Sequence, residues 1–170
     1  MRVLRRNSSI PRQGQAHIDA LSLGAQAAKI AASLGLGFAV AGSAAAFLAQ
    51  PWSLVLASLA GAASVALAFT LASRTPKAAL NNTVQEGELT TVRRFLMMAV
   101  LPSVPAGIVS GQFATGMLAE IGAWSPGWAS HAAVTAALFT GFVPGSAGMC
   151  FLLALLGRHL AARPAGRFVT

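Results

Sequence analysis

The chain has 170 residues, 55% hydrophobic and 9% charged, with a formal net charge of +8. Soluble domains carry about 25% charged residues, and a fold of this size leaves too much surface in water to hide so much apolar side chain. The same richness in apolar residues excludes a disordered chain, so the expected class is an all-α membrane protein.

Residues 1–15 are basic and polar and contain Pro11 and Gly14. They read as a flexible N-terminus. From residue 16 an apolar seam appears at Ile18, Leu21, Ala25 and Ala28, while His17, Asp19, Ser22, Gln26 and Lys29 avoid it. The spacing i, i+3, i+7, i+10 is one face of a helix. Residues 16–29 are therefore predicted to be an amphipathic helix that lies on the membrane surface or extends the first span into the cytoplasm. The long polar flank ahead of the first apolar run excludes a secretory signal.

A helix needs about 20 apolar residues to cross a bilayer. Four stretches meet this: 30–49, 52–73, 95–118 and 131–156, the third holding Pro102 and Pro105 and the fourth Pro144. Continuous apolar runs without period-two alternation argue against a β-barrel. Gln50-Pro51 closes a tight first hairpin over 30–73, with proline suited to a helix start. A loop over 74–94 leads to a second hairpin over 95–156, whose turn carries Pro126-Gly127, and a basic tail over 157–170 follows.

Charge orients the spans. Five cations precede the first span (Arg2, Arg5, Arg6, Arg12, Lys29), four lie in the middle loop (Arg74, Lys77, Arg93, Arg94) and three follow the last span (Arg158, Arg163, Arg167). In a four-span chain all twelve face one compartment. Lys and Arg are retained in the cytoplasm, so both termini are expected there. The three Trp residues, Trp52, Trp124 and Trp128, fall at the opposite edge, where indole favours the head-group zone. The cations border the apolar runs instead of forming a patch with aromatics, which points to anionic lipid head groups as partner and not directly to nucleic acid. Ten Arg against two Lys, with abundant Ala and Gly, fit a GC-rich bacterial gene and hence an inner membrane.

Reactive groups are sparse. A single Cys, Cys150, excludes a disulfide framework and a Cys-based zinc cage. The predicted topology separates His17 and His159 from His131, which leaves no metal site, and only an interfacial His131–Glu120 cap is in reach. Asp19, the sole Asp, sits two residues from His17 and does not face it on a helix, which argues against a hydrolase triad. Neither a cofactor nor an enzymatic activity is expected. Gln112 is the strongly polar long side chain inside a span. It is expected to bond another helix, with a substrate contact as the alternative.

Glycine and proline carry the clearest pattern. Gly107 with Gly111, and Gly141 with Gly145, form two GxxxG pairs, while Gly42–Ala46 and Ala57–Gly61 are weaker small-residue pairs. Such spacing lets helix backbones approach in lipid. Pro102, Pro105 and Pro144 mark kinks or hinges, with Ser103, Ser110 and Ser146 as candidates to satisfy the freed carbonyls. The pattern is expected to serve dense packing with other membrane subunits. Paired broken helices around a solute path are the alternative.

Arg12-Gln13-Gly14-Gln15, then Gln26, then Lys29-Ile30 leading into the first span, resembles the start of the membrane anchor of TraD-type conjugative coupling proteins. Those ATPases open with a cytoplasmic Gly-Gln element, an amphipathic stretch and a two-helix anchor. The resemblance covers about twenty residues. It implies kinship with the anchor alone, because this chain has no G-x-x-x-x-G-K-[ST] sequence and adds two further spans. The expected function is a non-enzymatic inner-membrane subunit that anchors or helps assemble a larger complex, such as a conjugation or secretion apparatus. A small transporter or pore for a neutral or apolar solute is the other reading.

Overall fold

Apolar runs bounded by proline, glycine and charge become four long helices in the computed structural model, which describes residues 12–80, 85–120 and 128–161. They are α1 (Arg12–Phe47), α2 (Trp52–Ser73), α3 (Glu86–Glu120) and α4 (Trp128–Ala161), with one short 3-10 turn over Lys77–Leu80 between α2 and α3. Each contains a segment long and apolar enough to cross a membrane: Ala20–Ala45, Trp52–Ser73, Glu86–Met117 and Phe139–Ala161. No strand occurs among the described residues, and the protein is an all-helical, multi-pass membrane protein.

Helix α2 begins directly after Pro51, whose carbonyl accepts the N–H groups of Leu54 and Val55 at 3.1 and 3.2 Å. It ends where Arg74 follows Ser73, the Arg74 N–H closing on the Thr70 carbonyl. Its 22 residues give about 33 Å, one hydrocarbon thickness. The other three helices have 34 to 36 residues and extend past it. Glu86 and Glu88 open α3, and Arg158 and His159 close α4, each charge complementing the helix dipole at its end.

Neighbouring helices run antiparallel around a four-membered ring: α1 packs on α2 and α4, and α3 on α4 and α2, while α1 and α3 barely meet. Pairs along the bundle show the register. Gln26 and Gly37 of α1 meet Thr75 and Ser64. Gly24 and Gly35 face Phe151 and Phe139 of α4, and on α3 Ser110 and Ser103 meet Gly141 and Ser146. The core holds Leu23, Ile30, Leu34, Leu96, Val100 and Phe142, continued toward the charged end by Leu80, Leu89 and Val92. Phe38 and Phe142 stack across α1 and α4, ring centres 4.9 Å apart, a pairing worth about 1 kcal/mol beyond area burial.

Two features of α1 follow from this arrangement. Residues 16–29 form no separate surface helix. They are continuous with the first span in α1, the second of the two predicted arrangements. The predicted seam is also not the face that packs into the bundle. Leu21 is 63% exposed, and Ala25 and Ala28 are exposed too, whereas Leu23, Gln26, Ala27, Ile30 and Leu34 are buried. The cause is a polar requirement at the end of α2, which draws Gln26 inward.

Candidate functional site

The densest functional candidate is the α3–α4 seam, where small residues bring two backbones together. A Cβ added to Gly145 would lie 2.6 Å from Ser110 Cβ and 2.8 Å from the Ala106 carbonyl oxygen. One added to Gly141 would lie 2.7 Å from Ala114 Cβ, 2.8 Å from the Ser110 oxygen and 3.0 Å from Gly111 Cα. One added to Gly107 would meet Ser146 Oγ and, at 2.6 Å, the Phe142 ring. Gly107 and Gly111 are buried, so all four predicted packing glycines line one contact. Elsewhere Gly37, beside Ser64, and Gly35, 2.9 Å from Val143 Cγ2, do the same for α1.

Serines reinforce the seam. Ser110 Oγ donates to the Gly141 carbonyl at 2.5 Å and Ser146 Oγ to the Ser103 carbonyl at 2.9 Å, both across helices. Ser103 Oγ donates to the Val100 carbonyl at 2.7 Å. The carbonyls freed by Pro102, Pro105 and Pro144 belong to Met98, Leu101 and Thr140, four residues back. The three serine bonds therefore go elsewhere: those of Ser110 and Ser146 join helices, and that of Ser103 stays within α3. All three prolines are exposed and α3 and α4 continue through them. Cys150 is fully buried beside Ser103.

Other predicted residues lie apart from the seam. Gln112 is exposed on α3, away from the helix contacts. Trp52 is 70% exposed at the start of α2. Trp124, the stretches 1–11, 81–84 and 162–170, and the side chains of Trp128, His131, His17 and Asp19 lie outside the described residues. Among the described residues no three His, Cys, Asp or Glu side chains come together.

A polar clamp at the charged end escaped the sequence analysis. Gln26 is buried, its Nε2 donating to the Leu71 carbonyl and to Thr75 Oγ1, both at 3.2 Å. Thr75 Oγ1 in turn donates to the Ala72 carbonyl at 3.0 Å. Arg93 of α3 donates from Nε at 2.8 Å and Nη2 at 2.5 Å to the Thr75 carbonyl. Arg158 Nε meets Glu88 Oε1 at 3.0 Å between α4 and α3. The last carbonyls of a helix lack intrahelical partners; here Gln26 of α1 serves that of Leu71, and Arg93 of α3 serves the Thr75 carbonyl two residues past the helix. Residue type alone marked Gln26 and Arg93 only as polar. The signal available was the unsatisfied end of a predicted α2 with Thr75 just past it.

Two of the apolar concavities bear on function. An open groove of about 600 Å³ runs between α1 and α4, lined by Leu21, Gly24, Ala25, Ala28, Gly148 and Phe151. A smaller cavity of about 160 Å³ lies inside the bundle and takes side chains from all four helices, among them Leu34, Gly37, Ser64, Val104 and Phe142. Neither chemistry-bearing clusters nor charged side chains line them, so the geometry supports helix packing and apolar contact. No protein-family model matches the chain, and no curated protein or solved structure is significantly similar to it.

Proposed function

We propose that this chain is a non-enzymatic membrane subunit that anchors or helps assemble a larger complex in a bacterial inner membrane, with a conjugation or secretion apparatus as the setting. The observation that carries the reading is a second class of glycine. Gly107, Gly141 and Gly145 are consumed by the fold, but a Cβ at Gly42 or Gly116 would meet nothing within 4 Å, and neither glycine lines the cavity inside the bundle. Lipid gains nothing from a missing side chain, whereas a partner helix does, because packing replaces hydrophobic drive inside a bilayer. Helix α2 strengthens the point: of its 22 residues only Ser53, Ser64, Ala68 and Ala72 are buried. The resemblance of the 12–30 stretch to the start of a coupling-protein anchor is consistent with such a role.

Native mass spectrometry after mild detergent extraction tests it. One stoichiometric polypeptide partner is expected, released by Gly42→Leu or Gly116→Leu while the chain itself stays folded. A chain that extracts alone from its native membrane defeats the reading.

The alternative, a transporter or pore for a neutral or apolar solute, draws on the interior cavity and on Pro102, Pro105 and Pro144 as hinges. Solute flux into liposomes holding the purified chain alone would establish it and displace the scaffold.

The orientation belongs to the same proposal. Arg74, Lys77, Arg93, Arg94 and Arg158 gather at the end of the bundle where α1 starts and α4 finishes, and that end is assigned to the cytoplasm. Reporter fusions at residue 1 and residue 170 should both give cytoplasmic signals, with a fusion after Gln50 giving the opposite one. Signals from different compartments at the two ends would refute a four-span chain.

A further inference from the structure

The apolar seam that sequence places on α1 is left facing outward, and its position defines a site. Gln26 reaches the carbonyl of Leu71 and the hydroxyl of Thr75 at the end of α2. Because α2 is about one hydrocarbon thickness long, Gln26 marks the edge of the apolar layer on α1. The groove lined by Leu21, Gly24, Ala25, Ala28, Gly148 and Phe151 straddles that edge. Ala28 lies on its inner side, Leu21 and Gly24 on its outer side, and Phe151 stands opposite Gly24 at 3.9 Å from a Cβ built there.

An exposed cation of α1, Lys29, stands beside this slot. It follows Ala25 by one helical turn. In a helix the Cα–Cβ bond tilts toward the N-terminus, so the Lys29 stem leads back toward the charged end and to the level of Ala25. Arg158, seven residues beyond Phe151 on α4, is already tied to Glu88 of α3 at 3.0 Å. No carboxylate is among the residues lining the groove. A second copy of the chain would set Lys29 and a net charge of +8 against the same. An anionic amphiphile meets both demands at once, apolar in the slot and negative at its rim.

The geometry points to a phospholipid site between α1 and α4, in which an anionic lipid places its upper chain and glycerol region against Gly24, Ala28, Gly148 and Phe151 and its phosphate beside Lys29. The site is independent of assembly with other subunits. It is a defined seat for one lipid, distinct from general attraction of the basic end to a charged bilayer.

The test reconstitutes the full chain into vesicles of equal parts phosphatidylcholine and phosphatidylglycerol, then releases it for native mass spectrometry. One retained phosphatidylglycerol per chain is expected. Gly148→Leu fills the slot without touching the fold, since a Cβ there meets nothing within 4 Å. It should abolish retention with an unchanged melting midpoint. Lys29→Gln should weaken retention about fivefold, the factor given by about 1 kcal/mol per basic side chain at a membrane surface. Arg94→Gln, an exposed cation on α3, should leave retention unchanged. Lys29→Gln keeps the test decisive should Gly148→Leu impair folding. Equal retention of both lipids, retention that survives both variants or falls equally with Arg94→Gln, or a polypeptide seated in the groove would overturn the site.

Discussion

Gly145→Leu is expected to lower the stability of the detergent-solubilised chain by about 3 kcal/mol, the upper end of overpacking costs. The new Cβ would press on Ser110 Cβ at 2.6 Å and on the Ala106 carbonyl at 2.8 Å. A backbone carbonyl inside a helix cannot turn away, so α3 and α4 must separate. Separation also stretches the bonds from Ser110 to the Gly141 carbonyl and from Ser146 to the Ser103 carbonyl. Gly141→Leu faces the Ser110 carbonyl at 2.8 Å and should cost a similar amount. Gly107→Leu should cost less, because its obstacles, the Phe142 ring and the Ser146 hydroxyl, are side chains with room to rotate. Gly42→Leu and Gly61→Leu meet no atom and should leave the melting midpoint in place. Thermal unfolding of the five variants in one detergent checks the order. Equal effects at Gly145 and Gly61 would show that the seam does not hold the bundle.

The contrast between these glycines marks what the sequence could reveal. Apolar runs gave the helices, and α2 emerged with both ends as read because Pro51 and Arg74 bracket it. The other three helices outrun their apolar stretches: Glu86, Glu88, Arg93 and Arg94 all belong to α3, yet hydropathy sees only the part that dissolves in lipid. GxxxG spacing led to the seam, since a four-residue period places both glycines of each pair on one face. That period carries no sign for inward or outward, so Gly42 and Gly145 look alike in sequence. The α1 seam carries a related ambiguity. Apolar periodicity finds a face that avoids water, and in a membrane protein lipid satisfies such a face as well as a core does. The face that packs is selected by what water and lipid cannot supply, here donors for the final carbonyls of α2, and Gln26 carries them.

Arg93→Met tests that selection and is expected to cost about 2–3 kcal/mol, the range for hydrogen bonds to a charged group. Two guanidinium nitrogens converge on one acceptor, the Thr75 carbonyl, at the negative end of α2. Arg93→Lys separates the two roles of the residue. It keeps the positive charge that holds this end in its compartment, but an ammonium lacks the planar fork. Its expected cost is about 1 kcal/mol, with topology unchanged. Gln26→Leu removes the donor to Leu71 and Thr75. Thr75 Oγ1 still reaches the Leu71 and Ala72 carbonyls at 3.3 and 3.0 Å, so about 1 kcal/mol is again expected. Both residues act through Thr75. The double variant Gln26→Leu, Arg93→Met should therefore depart from additivity by about 0.5 kcal/mol or more, as residues in one network do. Denaturant titrations of the singles and the double in lipid nanodiscs provide the cycle. Strict additivity would mean that α1 and α3 hold the end of α2 separately, and that burial of Gln26 has a cause other than the clamp.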